Sequence, residues 1–234
     1  FREREAAEIG GAVTFVRADL GREDVVAGLV ADHAITRAIH TAAVPNDNLA
    51  RPDPLGAVRS NIDATALLLD AARRQGWQGF ITVSTGSVFQ DADDTSVQVL
   101  EDRVPAVTNV YSTTKLCAEL LTTMYRSQYG VPAATVRISW VYGPPLVPRV
   151  RDNPRGPIPW FLRCVLSGQA VAEASGADFL ASYTHVADVA AGLIAAAEAR
   201  KLNHATYHLG WGRNFSTTDV VMAIRKVVPD ARIE

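Results

Sequence analysis

The chain has 234 residues, 48% of them hydrophobic and 21% charged, with a formal net charge of -2. That is enough apolar material for one large domain, or one with a smaller lobe, and the near-neutral balance leaves no electrostatic footprint of a nucleic-acid or membrane-surface binder. No apolar run approaches the roughly 20 residues of a membrane span, and the opening "FREREAAEIGG" has neither signal-peptide nor transit-peptide character. Cys117 and Cys164 are isolated, without metal-type spacing, and read as buried free thiols in a reducing compartment, so the expected location is cytoplasmic with no metal bound.

In chain order, "REREAAEIGG" reads as the end of a helix closed by glycine. "AVTFVRADL" reads as a strand, rich in β-branched and aromatic residues. "REDVVAGLVADH" has helical spacing and "ITRAIHTAAV" reads as a strand. "LGAVRSNIDATALLLDAARRQG" is a long amphipathic helix with Gly76 just past its end. "QGFITVSTGSVF" is a strand then a loop, "YSTTKLCAELLTTMYRSQYG" a helix ending at Gly130, and "AATVRISWVYGPP" a strand running into a turn. From about Pro144 to Ala181 the chain turns rich in Pro, Gly and Arg, as an excursion from a sheet would be. "HVADVAAGLIAAAEA" is then helical, "ATYHLGWG" strand and turn, and "STTDVVMAIRKVV" a helix with Ser216 as N-cap and Asp219 in its first turn. Strands that alternate with helices and read as continuous apolar runs predict an α/β fold, a doubly wound parallel sheet with a small C-terminal lobe.

A dinucleotide-binding fold opens with a strand, a glycine-rich turn and a helix. No such motif occurs here, and "EIGGAV" precedes a strand rather than following one. The expectation is that a βαβ unit of roughly 30 or more residues is missing ahead of Phe1. A chain without phosphate-binding glycines and their helix N-terminus is expected to bind a dinucleotide poorly and to be inactive as it stands.

Tyr111 lies four residues before Lys115 at the start of a helix. That spacing stacks a phenol and an ammonium on one helical face, where the cation favours the phenolate and brings the phenol closer to working pH. Upstream, "VSTGSVF" places Ser84, Thr85 and Ser87 at the C-terminal end of a strand, where open α/β sheets bind ligands. Their hydroxyls can hold a substrate oxygen.

Together these motifs resemble the extended short-chain dehydrogenase/reductases, the NAD-dependent epimerase/dehydratase family, whose sheet is Rossmann-like. The matching segments are "YSTTK", "STGSVF", "ADL", "HTAA", "SNIDAT" with Ala64 where the family has glycine, "RISWVYGPP" and "VADVA". The resemblance implies a dinucleotide-binding domain over residues 1–143 and a substrate lobe over 144–234, with parts of 182–210 returning to the sheet. It implies Tyr111 as catalytic acid/base, Thr85 as the hydroxyl orienting the substrate oxygen, and Lys115 on the nicotinamide ribose, lowering the tyrosine pKa. Asp19 would contact the adenine, or else cap the following turn, with Leu20 beside it. Thr41, Ala42 and Ala43 would line the cofactor, with Ser60 and Asn61 on the helix behind it and Ser139 near the nicotinamide. Asn61 is alternatively a buried structural amide. The cofactor is NAD or NADP, the deciding residues lying on the missing second strand.

Two departures bear on the substrate. Nucleotide-sugar epimerases carry an asparagine where Trp140 stands, and a phosphate-binding arginine where Ala181 stands. Arg149, Arg151 and Arg155 are either its substitutes or a solvated basic loop. The substrate-side residues are then Ser87, Trp140, Arg149 and Arg151, and the substrate a sugar or sugar-like compound with or without a nucleotide handle. Dehydratases of the family place an acidic pair after the catalytic threonine; Gly86 and Ser87 stand there, which favours an epimerase or a dehydrogenase. A non-catalytic sensor or scaffold of this family typically loses the tyrosine or the lysine. The family's dimers pair the "YSTTK" helix with the "SNIDAT" helix, so a homodimer is expected. His185, His208, Trp77, Trp160 and Trp211 read as core or packing groups.

Overall fold

The computed structural model describes residues 13–90, 98–144, 156–171 and 176–233. Four parallel strands form the main sheet in the order β1-β2-β3-β7: β1 is Arg37–His40, β2 Gly79–Thr85, β3 Ala133–Ile138 and β7 Thr206–Leu209. All residues of β2 are buried, which is why its sequence runs apolar without alternation: helices cover both faces. Phe80 and Ala133, paired in register, face one side with Leu69, Ala72, Trp77 and Val131. Ile81, Val83, Ala134 and Val136 face the other, against Val189, Leu193 and Ala197 of the helix Val186–Glu198. Thr122 Oγ1 donates to the Ala118 carbonyl, so the 2.6 Å bond between Thr82 and Thr122 takes its proton from Thr82.

The long helix before β2 forms in three pieces, Pro54–Val58, a π turn over Arg59–Asp63, and Ala64–Gln75. It starts with the Asp53 side chain accepting from the Gly56 N–H and Pro54 at its first position. It ends at Gly76, whose φ of 64° is one that glycine adopts without strain. The helix Val110–Tyr129 begins with Asn109 Oδ1 accepting from the Ser112 N–H at 2.8 Å and ends the same way at Gly130. A short helix, Asp47–Ala50, was not expected.

The strand expected at "AVTFVRADL" does not form over its described part. Residues 13–19 carry no strand pairing and are exposed, Val13, Phe15 and Val16 included. A strand exists by its ladder, and among the described residues none runs beside this segment. The helix expected at "REREAAEIGG" lies outside the described residues.

Beyond β3 the chain breaks at Ser139. β4 (Trp140–Tyr142) pairs in parallel with β6 (Tyr183–His185), and β5 (Leu180–Ala181) pairs antiparallel with β8 (Phe215–Ser216). With the helices Pro157–Leu166 and Thr217–Val227 they enclose a second core of Phe161, Cys164, Val171, Ala181, Tyr183, Val220, Ile224 and Ile233. Ser216 and Asp219 form a reciprocal capping box. Two packing expectations are corrected: Trp211 is 63% exposed, standing in a turn after β7, and Cys117 is only half-buried. Among the described residues no helix is long and apolar enough to cross a membrane.

Phe80 has no exposed surface and packs between Trp77 and His40. Phe80→Ala is expected to lower the unfolding free energy by about 3–5 kcal/mol, read as a drop in the urea midpoint at unchanged slope.

Candidate active site

Because β1, β2 and β3 run parallel, the ends of β1 and β2 and the start of the helix Val110–Tyr129 meet at one edge of the sheet, the edge where such folds bind ligands. Thr85 is the last residue of β2, His40 the last of β1, and Tyr111 and Lys115 occupy successive turns of the helix. Lys115 is 6% exposed, and its ammonium makes no hydrogen bond to a described residue. Burial pulls its pKa down to about 8, against the opposing attraction of Glu119. His40 is pushed down to about 4, first by burial and then by the positive charge of Lys115. Thr65 Oγ1 gives its proton to the Asn61 carbonyl, so it accepts from His40 Nε2 at 3.1 Å, and the neutral ring carries its hydrogen there.

Asn61 sits in the π turn and is almost wholly buried. Its Oδ1 accepts from the Val44 N–H at 2.7 Å; its Nδ2 donates to the Val44 carbonyl at 3.2 Å and to Thr114 Oγ1 at 2.9 Å. Thr114 in turn donates to the Tyr111 carbonyl. Both amide hydrogens are thus spent inside the chain, tying the loop after β1 to the first turn of the Tyr111 helix. The Tyr111 N–H also reaches Asp47 Oδ1 at 3.4 Å.

Thr85 Oγ1 accepts from the Ser87 N–H at 3.1 Å and donates to Ser87 Oγ at 3.2 Å, while Ser87 itself is exposed. Ser139 is half-buried beside this turn: a Cβ added to Gly86 would lie 3.8 Å from its Oγ. Thr41 and Ala42 are exposed and Ala43 half-buried just past β1. Ser60 is half-buried in the π turn. Asp19 is exposed and its Oδ1 accepts from the Gly21 N–H, the turn-capping arrangement, with Leu20 half-buried between them. Trp140 packs edge-on against Phe179 at 5.5 Å and lies 6.3 Å from Tyr183, within the lobe. Arg149, Arg151 and Arg155 lie outside the described residues.

Sequence reasoning missed Glu119 and Arg137. Arg137 Nε and Nη2 clasp the Glu119 carboxylate at 2.7 to 3.2 Å, both side chains buried. The available signal was spacing: Glu119 follows Lys115 by four residues, as Lys115 follows Tyr111. His208, expected as a satisfied core group, accepts from Arg137 Nη1 on Nε2 and donates from Nδ1 to the Val99 carbonyl.

Residues 1–210 match the family model described as the NAD dependent epimerase/dehydratase family. Over 225 residues the chain is 31% identical to a trifunctional UDP-glucose 4,6-dehydratase/UDP-4-keto-6-deoxy-D-glucose 3,5-epimerase/UDP-4-keto-L-rhamnose-reductase of Arabidopsis thaliana, covering 94% of this chain and 33% of that protein. It is 29% identical over 212 residues to a dTDP-glucose 4,6-dehydratase of Actinoplanes, covering 89% of this chain and 63% of that one. The chain therefore spans about a third of the plant relative and less than two thirds of the bacterial one. Among solved structures, the UDP-glucose 4-epimerase of Thermotoga maritima with UDP-glucose shares the fold at a TM-score of 0.81 and 20% identity, over 95% of this chain and 74% of that one. MoeE5 in complex with UDP-glucose and NAD aligns at a TM-score of 0.74 and 26% identity, over 93% and 70%.

The buried His40 has a consequence for stability. Its pKa is about 4 when folded and 6.5 in the unconstrained ring, so between these values the unfolded chain holds more protons. Its contribution is present above pH 6.5 and is lost as the pH falls toward 4, by about 2 kcal/mol at pH 5. His40→Gln is expected to flatten that component. Urea midpoints of both proteins at about pH 7.5 and about pH 5 check it.

Proposed function

Because the chain belongs to the NAD dependent epimerase/dehydratase family, we propose that it performs NAD- or NADP-dependent oxidoreductive chemistry at a secondary alcohol of a sugar, with Tyr111 as acid/base. The observation that carries this reading is Lys115: a nearly buried ammonium, without a hydrogen-bond acceptor among the described residues, one helical turn beyond a tyrosine at the ligand-binding edge of the sheet. Three donors on such a group call for acceptors beyond the described residues, and the paired hydroxyls of a nucleotide ribose fit that demand. Thr41 and Ala42, small and exposed at the end of β1, leave room for a dinucleotide to approach the backbone. When bound, the cofactor would supply the acceptor for the electron pair leaving the alcohol carbon.

The chain's own residues then act on the substrate oxygen. Tyr111, in the phenolate form that the charge of Lys115 favours, takes the hydroxyl proton and becomes the neutral phenol. Thr85, whose Oγ1 already accepts from the Ser87 N–H, turns its own proton from Ser87 toward the substrate oxygen. The names of the relatives point to a sugar carried on UDP or dTDP. With Ala181 and Trp140 in the lobe, charge-assisted holding of a diphosphate falls to Arg149 and Arg151. Gly86 and Ser87 after Thr85 favour epimerase or dehydrogenase chemistry over dehydration.

A homodimer completes the proposal. Leu120 is 62% exposed on the Tyr111 helix, with Leu116 and Met124 half-buried on neighbouring turns. Leu120→Glu is expected to give a monomer in sedimentation velocity where the parent gives a dimer. For the chemistry, Tyr111→Phe in the full-length protein is expected to lower kcat with UDP-glucose and NAD by about 10²–10⁴-fold at unchanged circular dichroism. Nicotinamide absorbance and chromatography of the sugar nucleotide report it, and undiminished turnover would overturn the acid/base role.

A further inference from the structure

The helix that bears Tyr111 and Lys115 bears Glu119 one turn further on, on the same face. Glu119 is 4% exposed, and Arg137 holds it with Nε at 3.0 and 3.2 Å from the two carboxylate oxygens and Nη2 at 2.7 Å. Arg137 is itself fixed from other segments. Its Nη1 donates to the Glu101 carbonyl at 3.4 Å and to His208 Nε2 at 3.3 Å, and its guanidinium stands 4.9 Å over the Phe89 ring. Buried ion pairs of this kind are weak contributors to stability compared with apolar packing. What this one provides is a carboxylate immobilised one helical turn from an ammonium that has no hydrogen-bond partner of its own among the described residues.

We propose that Glu119 is a positioning residue for Lys115: clamped by Arg137, its carboxylate keeps the buried side chain in the ammonium form that Tyr111 requires. This rests on the acid/base reading of Tyr111. Burial works toward the neutral amine, and Glu119 is the attraction opposing it. The other groups around Lys115 do not replace it. His40, facing it from β1, is neutral above about pH 4. Asp47, from the short helix, is engaged at the Tyr111 N–H. Arg137 lies beyond Glu119 and carries the same sign as Lys115.

Lys115, Lys201 and Lys226 are the only lysines of this chain, and the last two are exposed, so the three side chains separate in a pH titration of lysine ¹³Cε resonances. In this chain the Lys115 resonance, assigned by Lys115→Met, is expected to titrate near pH 8. In Glu119→Gln its midpoint is expected to fall by about one pH unit or more. That variant leaves Arg137 buried and unpaired, so Glu119→Gln/Arg137→Met, with both charges removed, is titrated alongside and is expected to show a smaller fall, because the repulsion from Arg137 goes too. A midpoint unchanged from the parent in whichever of the two folds would overturn the proposal and leave the pair a purely structural one. The measurement involves no turnover, so its failure and a failure of the Tyr111→Phe experiment are told apart.

Discussion

A single ammonium group kept almost out of water governs the organisation of this molecule's sheet edge. Burying Lys115 works against its charge; the Ser84 and Ser112 hydroxyls are also buried without a hydrogen-bond partner among the described residues, whereas a chain of other polar groups beside it is fully committed. His40 stays neutral and commits its ring hydrogen to Thr65; Thr65 commits its own to the backbone of Asn61; Asn61 spends both amide hydrogens on Val44 and Thr114. The chain of bonds runs from the end of β1 through the π turn to the first turn of the Tyr111 helix. Each member has a fixed direction of donation, so the edge is held in one arrangement before any ligand arrives.

The π turn is what lets that happen on a long helix. At Ala64 the backbone N–H bonds to the Arg59 carbonyl, five residues back rather than four. The extra residue widens the helix locally, and it coincides with Asn61 bonding the N–H and carbonyl of Val44 together, much as a neighbouring strand would. Local π turns often mark functional sites. Here the turn joins the helix to a loop that would otherwise present unpaired backbone groups to the interior.

Much of this architecture could be read from residues whose constraint is local. The apolar run of β2, the glycines closing helices at Gly76 and Gly130, and the Ser216–Asp219 capping box all state their own conformations. The segment "AVTFVRADL" misled because β-propensity describes a residue's fit to a pleated surface, not the presence of a neighbour to pair with. At the site, the Tyr111–Lys115 spacing was visible, as was the strand end carrying Thr85. The clasp of Glu119 by Arg137 was not, since it joins side chains on a helix and a strand whose proximity only the fold creates. The two roles offered for Asn61 and Asp19 needed coordinates for the same reason: a polar side chain does not announce whether its partner is backbone or ligand.

At Ser139, between the end of β3 and the start of β4, the chain passes from one sheet to another. Up to β3, residues belong to the sheet and the edge that holds Lys115; from Trp140 onward, β4, β5, β6 and β8 pair apart from that sheet, while β7 and the helix Val186–Glu198 return to it. Ser139 lies against the Gly86 turn, next to Thr85. Because the polar chain around Lys115 draws on β1, the π turn and the Tyr111 helix, and the Glu119 clasp adds only β3 and β7 with the segments at Val99–Glu101 and Phe89, substitutions within the lobe core leave the electrostatics of the sheet edge in place. Trp140 and Ala181, which pack within the lobe, can therefore vary without disturbing the bonds that hold the sheet edge.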